Sequence, residues 1–258
     1  MKLTANNYFS PKANKEFMSA SQFKSFMKCE AAALAELNNE TDKQDSRALL
    51  LGSLVDEMLT GTKKSQAKFL EENKTELFKK NGEPCADVDK AFNAVEVVKK
   101  QPLMMKYLGG KKQKIMTGEI AGVKFKIKMD SYQPNEFIAD LKYMASLKSP
   151  NLFDNIVKYW GYDISMAIYQ EIVYQNTGKR LPVYLVIVTK ENVPRVKVAE
   201  IKQYNLDDAL DVVKKHLPRI VAVKNGEVEP ERCETCDYCA ATEILTEIID
   251  SDMLGISK

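Results

Sequence analysis

Histidine occurs once in this 258-residue chain, at His216. A Ser-His-Asp triad or a histidine-rich metal centre would have only that residue to draw on. It lies in DDALDVVKKHLPRIV, which reads as a helix ending near Pro218, with no serine or cysteine nucleophile motif around it. We read His216 as a surface residue. Net charge is also scarce: Lys and Arg number 38 against 36 Asp and Glu, a formal +2. That balance excludes a general polycation effect, so any binding of nucleic acid must rest on local clusters of charge. Long apolar runs are missing too. The longest, residues 181–188, falls far short of the ~20 residues a membrane-spanning helix needs, and the opening MKLTANNYFSPKANKEF is polar with no apolar stretch behind it. These features read as a cytoplasmic protein. No internal repeat, low-complexity tract or Pro- or Gly-rich linker divides the chain.

With 45% hydrophobic residues the composition is that of an ordinary globular protein. Residues 19–37 start on Ser and carry Phe23, Phe26, Met27, Ala31 and Leu34 at the spacing of an amphipathic helix. A second helix is expected from about Ser46 to Thr60, with Asp56 and Glu57 interrupting its apolar surface. Residues 63–100, rich in Lys and Glu, read as a solvated elaboration with a loop at residues 81–84 followed by another helix. The pattern then changes to period two. Residues 115–120 and 123–130, joined by Ala121 and Gly122, read as a hairpin, and residues 137–142 form a third strand after a Gln-Pro-Asn turn. Residues 150–177 read as one long helix closed by Gly178, followed by strands at 182–189 and 194–200. The fold class expected is α/β, with helical additions to a central sheet.

The alternation carries chemistry. Val123, Phe125, Ile127 and Met129 share one face of their strand, and Lys124, Lys126, Lys128 and Asp130 the other. On the next strand Asp140 and Lys142 project together while Phe137, Ala139 and Leu141 pack behind. Two antiparallel strands can therefore bring Asp130, Asp140 and Lys142 to one end of the sheet. Carboxylates beside a lysine suit phosphodiester hydrolysis: the oxygens hold Mg²⁺, and the lysine orients water or stabilises charge developing on the phosphate. As isolated residues the two acids read equally well as turn acids, with Lys142 a solvated partner. Lys111, Lys112 and Lys114 join the three strand lysines in a local positive surface suited to phosphate backbones.

The ordered segments MSASQFKSFMKC (18–29), ALLLGSLVD (48–56), GVKFKIKMD (122–130), IADLK (138–142) and YDISMAIYQ (162–170) resemble the RecB-like branch of the PD-(D/E)xK nucleases, in particular the phage exonuclease VIII (RecE-type) group. The resemblance covers most of the chain. It implies a nuclease core, a central mixed sheet flanked by helices, in a single domain over 1–258: a helical part at 1–110, the catalytic core at 111–202 and a helical, Cys-rich part at 203–258. It implies Asp130, Asp140 and Lys142 as catalytic residues and Asp56, Asp130, Asp140 and Leu141 as the metal site for Mg²⁺ or Mn²⁺. Asp56 stands where relatives usually carry histidine, a mild change for a hard cation, and Glu57 is the fallback. Relatives often carry Gln-x-x-x-Tyr where this chain has Ser165 and Tyr169. Tyr162, Ser165 and Tyr169 recur at helical spacing on one face, readable as a DNA-facing rim or as a packing face; Gln170 points about 100° away. The activity implied is a metal-dependent exodeoxyribonuclease resecting duplex DNA ends 5′ to 3′ for phage recombination; the alternatives are an endonuclease or single-strand nuclease of the same superfamily, or a catalytically inactive DNA-binding scaffold. The partners implied are a single-strand annealing protein and further copies of the chain in a ring, with no membrane. Cys233, Cys236 and Cys239 have ligand-like spacing. In some relatives an early cysteine joins three late ones around an iron-sulfur cluster; here Cys29 is the candidate, and the site is expected to hold a cluster, zinc or nothing.

Overall fold

The computed structural model describes residues 1–41, 47–148, 155–245 and 248. Among these residues the helices α1 (Pro11–Glu16), α2 (Ala20–Lys28), α3 (Glu30–Asn38), α4 (Arg47–Thr60), α5 (Lys63–Glu72), α6 (Lys74–Leu77), α7 (Ala86–Lys99) and α8 (Pro102–Tyr107) come first. Strands β1 (Lys111–Ile120), β2 (Val123–Gln133) and β3 (Phe137–Met144) follow, then α9 (Ile156–Tyr159), α10 (Tyr162–Thr177), β4 (Val183–Thr189), β5 (Val196–Ile201), α11 (Gln203–Lys224) and α12 (Asp237–Ala241). Among the described residues the strands form one mixed sheet in the order β1-β2-β3-β4-β5, with β3–β4 parallel and the other pairs antiparallel. The α/β class and the mixed sheet flanked by helices are as expected.

The β1–β2 hairpin closes on Ala121 (φ 47°) and Gly122 (φ 79°), two consecutive left-handed residues of the kind that match the twist of paired strands. One core cluster packs α2, α10 and α11 with Phe125, Ile127, Met129, Ile138, Leu185 and Ile187. A second packs α4, α7 and α8 with Phe137, Ala139, Leu141, Val186 and Val188. Successive residues of β3 and β4 thus enter opposite layers, which accounts for the near-continuous apolar run of β4.

Several expectations change. The helix read across residues 19–37 is two helices, because Cys29 is extended (φ −159°, ψ 109°) and serves as both C-cap of α2 and N-cap of α3. The helix read across 150–177 breaks at Gly161, whose φ of 60° cannot continue a right-handed helix; its first residues, and Ser46, lie outside the described residues. The stretch 63–100 is not all solvated: α7 buries Val88, Ala91, Ala94, Val95 and Val98. Pro218 does not end its helix, which runs on to Lys224. An interior proline costs about 3 kcal/mol, and burial of Ile220 and Val223 beyond it offsets that at about 1.5–3 kcal/mol each. Among the described residues no helix is long and apolar enough to cross a membrane.

The feature that shapes the site is where β2 and β3 part. They pair only through Ser131↔Ala139, Tyr132↔Ile138 and Gln133↔Phe137. From Asp130 backwards, β2 keeps β1 on one side and loses β3 on the other. Other groups take up the polar backbone of that opened edge, as buried peptide groups require. Met18 N–H donates to Lys124 O at 2.8 Å, and Lys126 N–H donates to Met18 O at 2.9 Å. The Tyr8 hydroxyl donates to Lys126 O at 3.4 Å and the Tyr169 hydroxyl to Lys128 O at 3.2 Å.

Candidate active site

Asp130 and Asp140 are the next residues after the last β2–β3 pair, so they face each other in the opening of the fork. Asp130 Oδ2 accepts the Leu141 N–H at 2.9 Å. Asp140 is 4% exposed, and its Oδ2 makes an ion pair with Lys142 Nζ. Asp56 arrives from α4, which packs on β3. Its Oδ1 accepts from the Thr60 hydroxyl at 3.0 Å and its Oδ2 from Gln113 Nε2 at 2.8 Å, and the same amide nitrogen lies 3.4 Å from Asp130 Oδ1. Gln113 sits opposite Asp130 in β1 with φ 49°. A left-handed non-glycine residue is strained, and such strain persists only where its surroundings enforce it. Glu57 turns elsewhere: its Oε1 occupies the space against Gly61, where even an added methyl would collide with it. The carboxylate that shares Gln113 with Asp130 therefore belongs to Asp56.

Burial, then the charges of Asp140 and Asp56, push the Asp130 carboxyl well above the usual carboxylate range. Burial, followed by the Asp140 charge, also raises Asp56, against a lowering hydrogen bond from Thr60. Burial alone would depress Lys142, but Asp140 and Asp130 outweigh it and hold the ammonium above its ordinary value. The Tyr162 ring stands 5.2 Å from Lys142 Nζ, and Lys24 Nζ lies 5.8 Å from the same ring. Burial and the like charge of Lys142 bring Lys24 down to about 8. The Asp140 charge thus adds to the burial that raises both Asp56 and Asp130, and the oxygens of the three carboxylates are the hard donors a divalent cation prefers. Leu141 buries its side chain behind the sheet, so the only donor it can add is its main-chain carbonyl.

The expected DNA-facing residues divide. Lys124 is exposed, 4.0 Å from Glu16. Lys128 is half-buried over the rings of Phe9 (4.7 Å) and Tyr8 (5.8 Å). Lys126 is not at the surface: at 1% exposure its ammonium donates to Tyr8 O and to Asn14 Oδ1 (2.6 Å), because the amino-terminal segment covers that part of the strand. Ser165 is buried and donates back to Gly161 O at 3.2 Å, and the Tyr169 hydroxyl is taken by β2. Of that helical face Tyr162 alone lies beside Lys142. Gln170 is buried between Leu181 O (2.9 Å) and Gln203. The reading of the sequence missed Gln113, Thr60 and Lys24. Lys24 lies inside the segment at 18–29, but no local pattern marks it or the other two.

A family model described as "PDDEXK-like domain of unknown function (DUF3799)" matches residues 19–242. A crystal structure of a protein from Eubacterium rectale described as a "Putative exonuclease" superposes with a TM-score of 0.92 at 42% identity, covering 99% of this chain and 100% of that one. A second solved structure, of SSO0001, covers 74% of this chain and 93% of its own at 13% identity and a TM-score of 0.31, too low to carry an argument. No curated protein matches the chain.

Proposed function

Because the chain belongs to the PDDEXK-like family, we propose that it is a metal-dependent exodeoxyribonuclease that hydrolyses phosphodiester bonds at duplex DNA ends. One observation carries the reading: where β2 and β3 part, Asp130 shares Gln113 with Asp56 and faces Asp140, which is ion-paired with Lys142. Asp56, Asp130, Asp140 and the Leu141 carbonyl would hold Mg²⁺ or Mn²⁺. When bound, that ion polarises the phosphate and lowers the pKa of the attacking water. Lys142, kept cationic by its two aspartates, orients that water and stabilises the charge growing on the phosphate. Tyr162 limits the rotamers open to Lys142. Lys24, Lys112 and Lys128 bind backbone phosphates, a mode of contact that positions DNA without reading its sequence. The RecE-type resemblance supports 5′ to 3′ resection in phage recombination, leaving single strands for an annealing protein.

The test incubates the protein with end-labelled linear duplex, closed circular duplex and single-stranded DNA, with and without Mg²⁺. Degradation of the linear duplex alone, and only with Mg²⁺, is expected. Cutting of the closed circle would make the protein an endonuclease, and no cleavage of any form would make it a DNA-binding scaffold.

A further inference from the structure

Four of the five cysteines meet at one point, apart from the carboxylate site and unused by the reaction proposed for it. Cys29 stands at the extended junction of α2 and α3. Cys236 is the N-cap of α12 and Cys239 lies within that helix, while Cys233 precedes a sharp turn in which Glu234 takes φ 58°. Their four sulfur atoms all lie within 4.8 Å of one another, with Cys29 to Cys239 at 3.7 Å and Cys233 to Cys239 at 4.0 Å. Cys29 and Cys239 are buried, and Ala31, Ala32 and Tyr238 pack around the group. Two donors point at sulfur: the Ala32 N–H at Cys29 Sγ and the Thr235 hydroxyl at Cys233 Sγ, each at 3.5 Å. Such contacts suit ligands that have given up their protons and need outer-shell donors.

The spacing selects among occupants. A disulfide would need sulfurs about 2.05 Å apart, and all four thiols here are free. In an iron-sulfur cluster, thiolates on different irons are separated by two iron–sulfur bonds plus the iron–iron distance, so at least some pairs lie about 6 Å apart. The 4.8 Å limit on every pair leaves no room for that. Four thiolates on one ion with bonds of about 2.3 Å at tetrahedral angles stand about 3.8 Å apart, close to the 3.7 and 4.0 Å found here. From this geometry we infer that Cys29, Cys233, Cys236 and Cys239 hold a single zinc ion, and not the iron-sulfur cluster that the resemblance suggested. Soft thiolates favour zinc over the hard ions of the carboxylate site. Four protein ligands leave no open position, the condition of a structural site and not a reactive one.

The ion fastens the α2–α3 junction to a segment 210 residues later. Neighbouring contacts run the same way: Arg219 pairs with Glu30 at 2.8 Å, and Ala31 N–H donates to Glu231 O at 3.0 Å.

The test is metal content and thiol reactivity of the whole protein, neither of which depends on DNA cleavage. Dialysed protein should be colourless, with about one zinc per chain and no acid-labile sulfide. Cys85, which stands apart from the cluster, should be the one thiol that reacts quickly with a disulfide reagent; all five should react once the protein is unfolded with chelator. Asp140→Asn and Cys85→Ser should keep the zinc, and C233S/C236S should lower it about tenfold or more. If the double variant does not fold, cobalt exchanged into the wild type decides: intense sulfur-to-cobalt charge-transfer bands and red-region ligand-field bands are expected for a tetrahedral tetrathiolate. Iron with sulfide, iron without it, or a metal-free protein with five equally reactive thiols would each overturn the inference.

Discussion

The backbone N–H of Leu141 donates to Asp130 Oδ2 at 2.9 Å, just beyond the last rung of the β2–β3 ladder. A side chain there takes over a bond that a neighbouring strand would otherwise receive. The carboxylate is thereby fixed by the same divergence that opens the site, and its other oxygen is left to face Asp56 through Gln113.

Asp130→Ala and Asp140→Ala should each abolish Mg²⁺-dependent cleavage, since each removes a charged oxygen donor from the proposed ion site. The loss should exceed the ~100-fold typical of deleting only an outer partner of a metal ligand. Lys142→Ala should lower kcat by roughly 10²–10³ while leaving the Kd for DNA nearly unchanged. Single-turnover rates and filter binding separate the two effects, and near wild-type turnover in either aspartate variant would refute the assignment.

Stability without divalent metal should carry the signature of Asp130. Its folded pKa lies above the unfolded one, so the folded state binds more protons. The stability is present below the unfolded value near ~4 and is lost as pH climbs through the higher folded value. Thermal melts of wild type and Asp130→Asn should therefore diverge as pH rises, with the variant increasingly the more stable, and Mg²⁺ should restore the wild type alone. Parallel melting curves at all pH values would contradict the crowding of carboxylates.

At α4 the expectation distinguishes adjacent acids. Asp56→Ala should inactivate the protein, and Asp56→His should retain part of the activity because imidazole can still ligate a divalent ion. Glu57→Ala should keep the activity, since that side chain packs against Gly61. Metal-dependent cleavage assays of the three variants check this, and a dead Glu57→Ala beside an active Asp56→Ala would reverse the register.

Two lysines on one face of β2 should behave differently. Lys126→Ala removes a buried ammonium with two oxygen partners and should destabilise the fold by about 2–3 kcal/mol. Lys124→Ala, at an exposed position, should be within about 0.5 kcal/mol of wild type. Urea denaturation midpoints measure both.

The same residues show how far sequence reasoning reaches. Period two placed Asp140 and Lys142 on one side of β3 because strand geometry permits nothing else. It also placed Lys126 beside Asp130, but a period says nothing about what covers a face, and Tyr8 and Asn14 arrive from more than a hundred residues away. In α7 Val88, Ala91, Val95 and Val98 recur at helical spacing on the buried side, while Lys90, Glu96 and Lys99, which give the segment its solvated composition, lie on the exposed side. The break at Gly161 is set by a torsion angle that a sequence pattern does not display. Gln113 carried no signal, because its place depends on a backbone kink and on two acids from other elements.

Met18 lies in parallel register beside Phe125, donating to Lys124 O and accepting from Lys126 N. A single residue thus acts as a stopper on a bare strand margin. Exposed margins of this kind recruit strands from other molecules. A protein trimmed of its first eighteen residues would present β2 as a sticky template, and its failure would show first as self-association in solution, ahead of any change at Asp130 or Asp140.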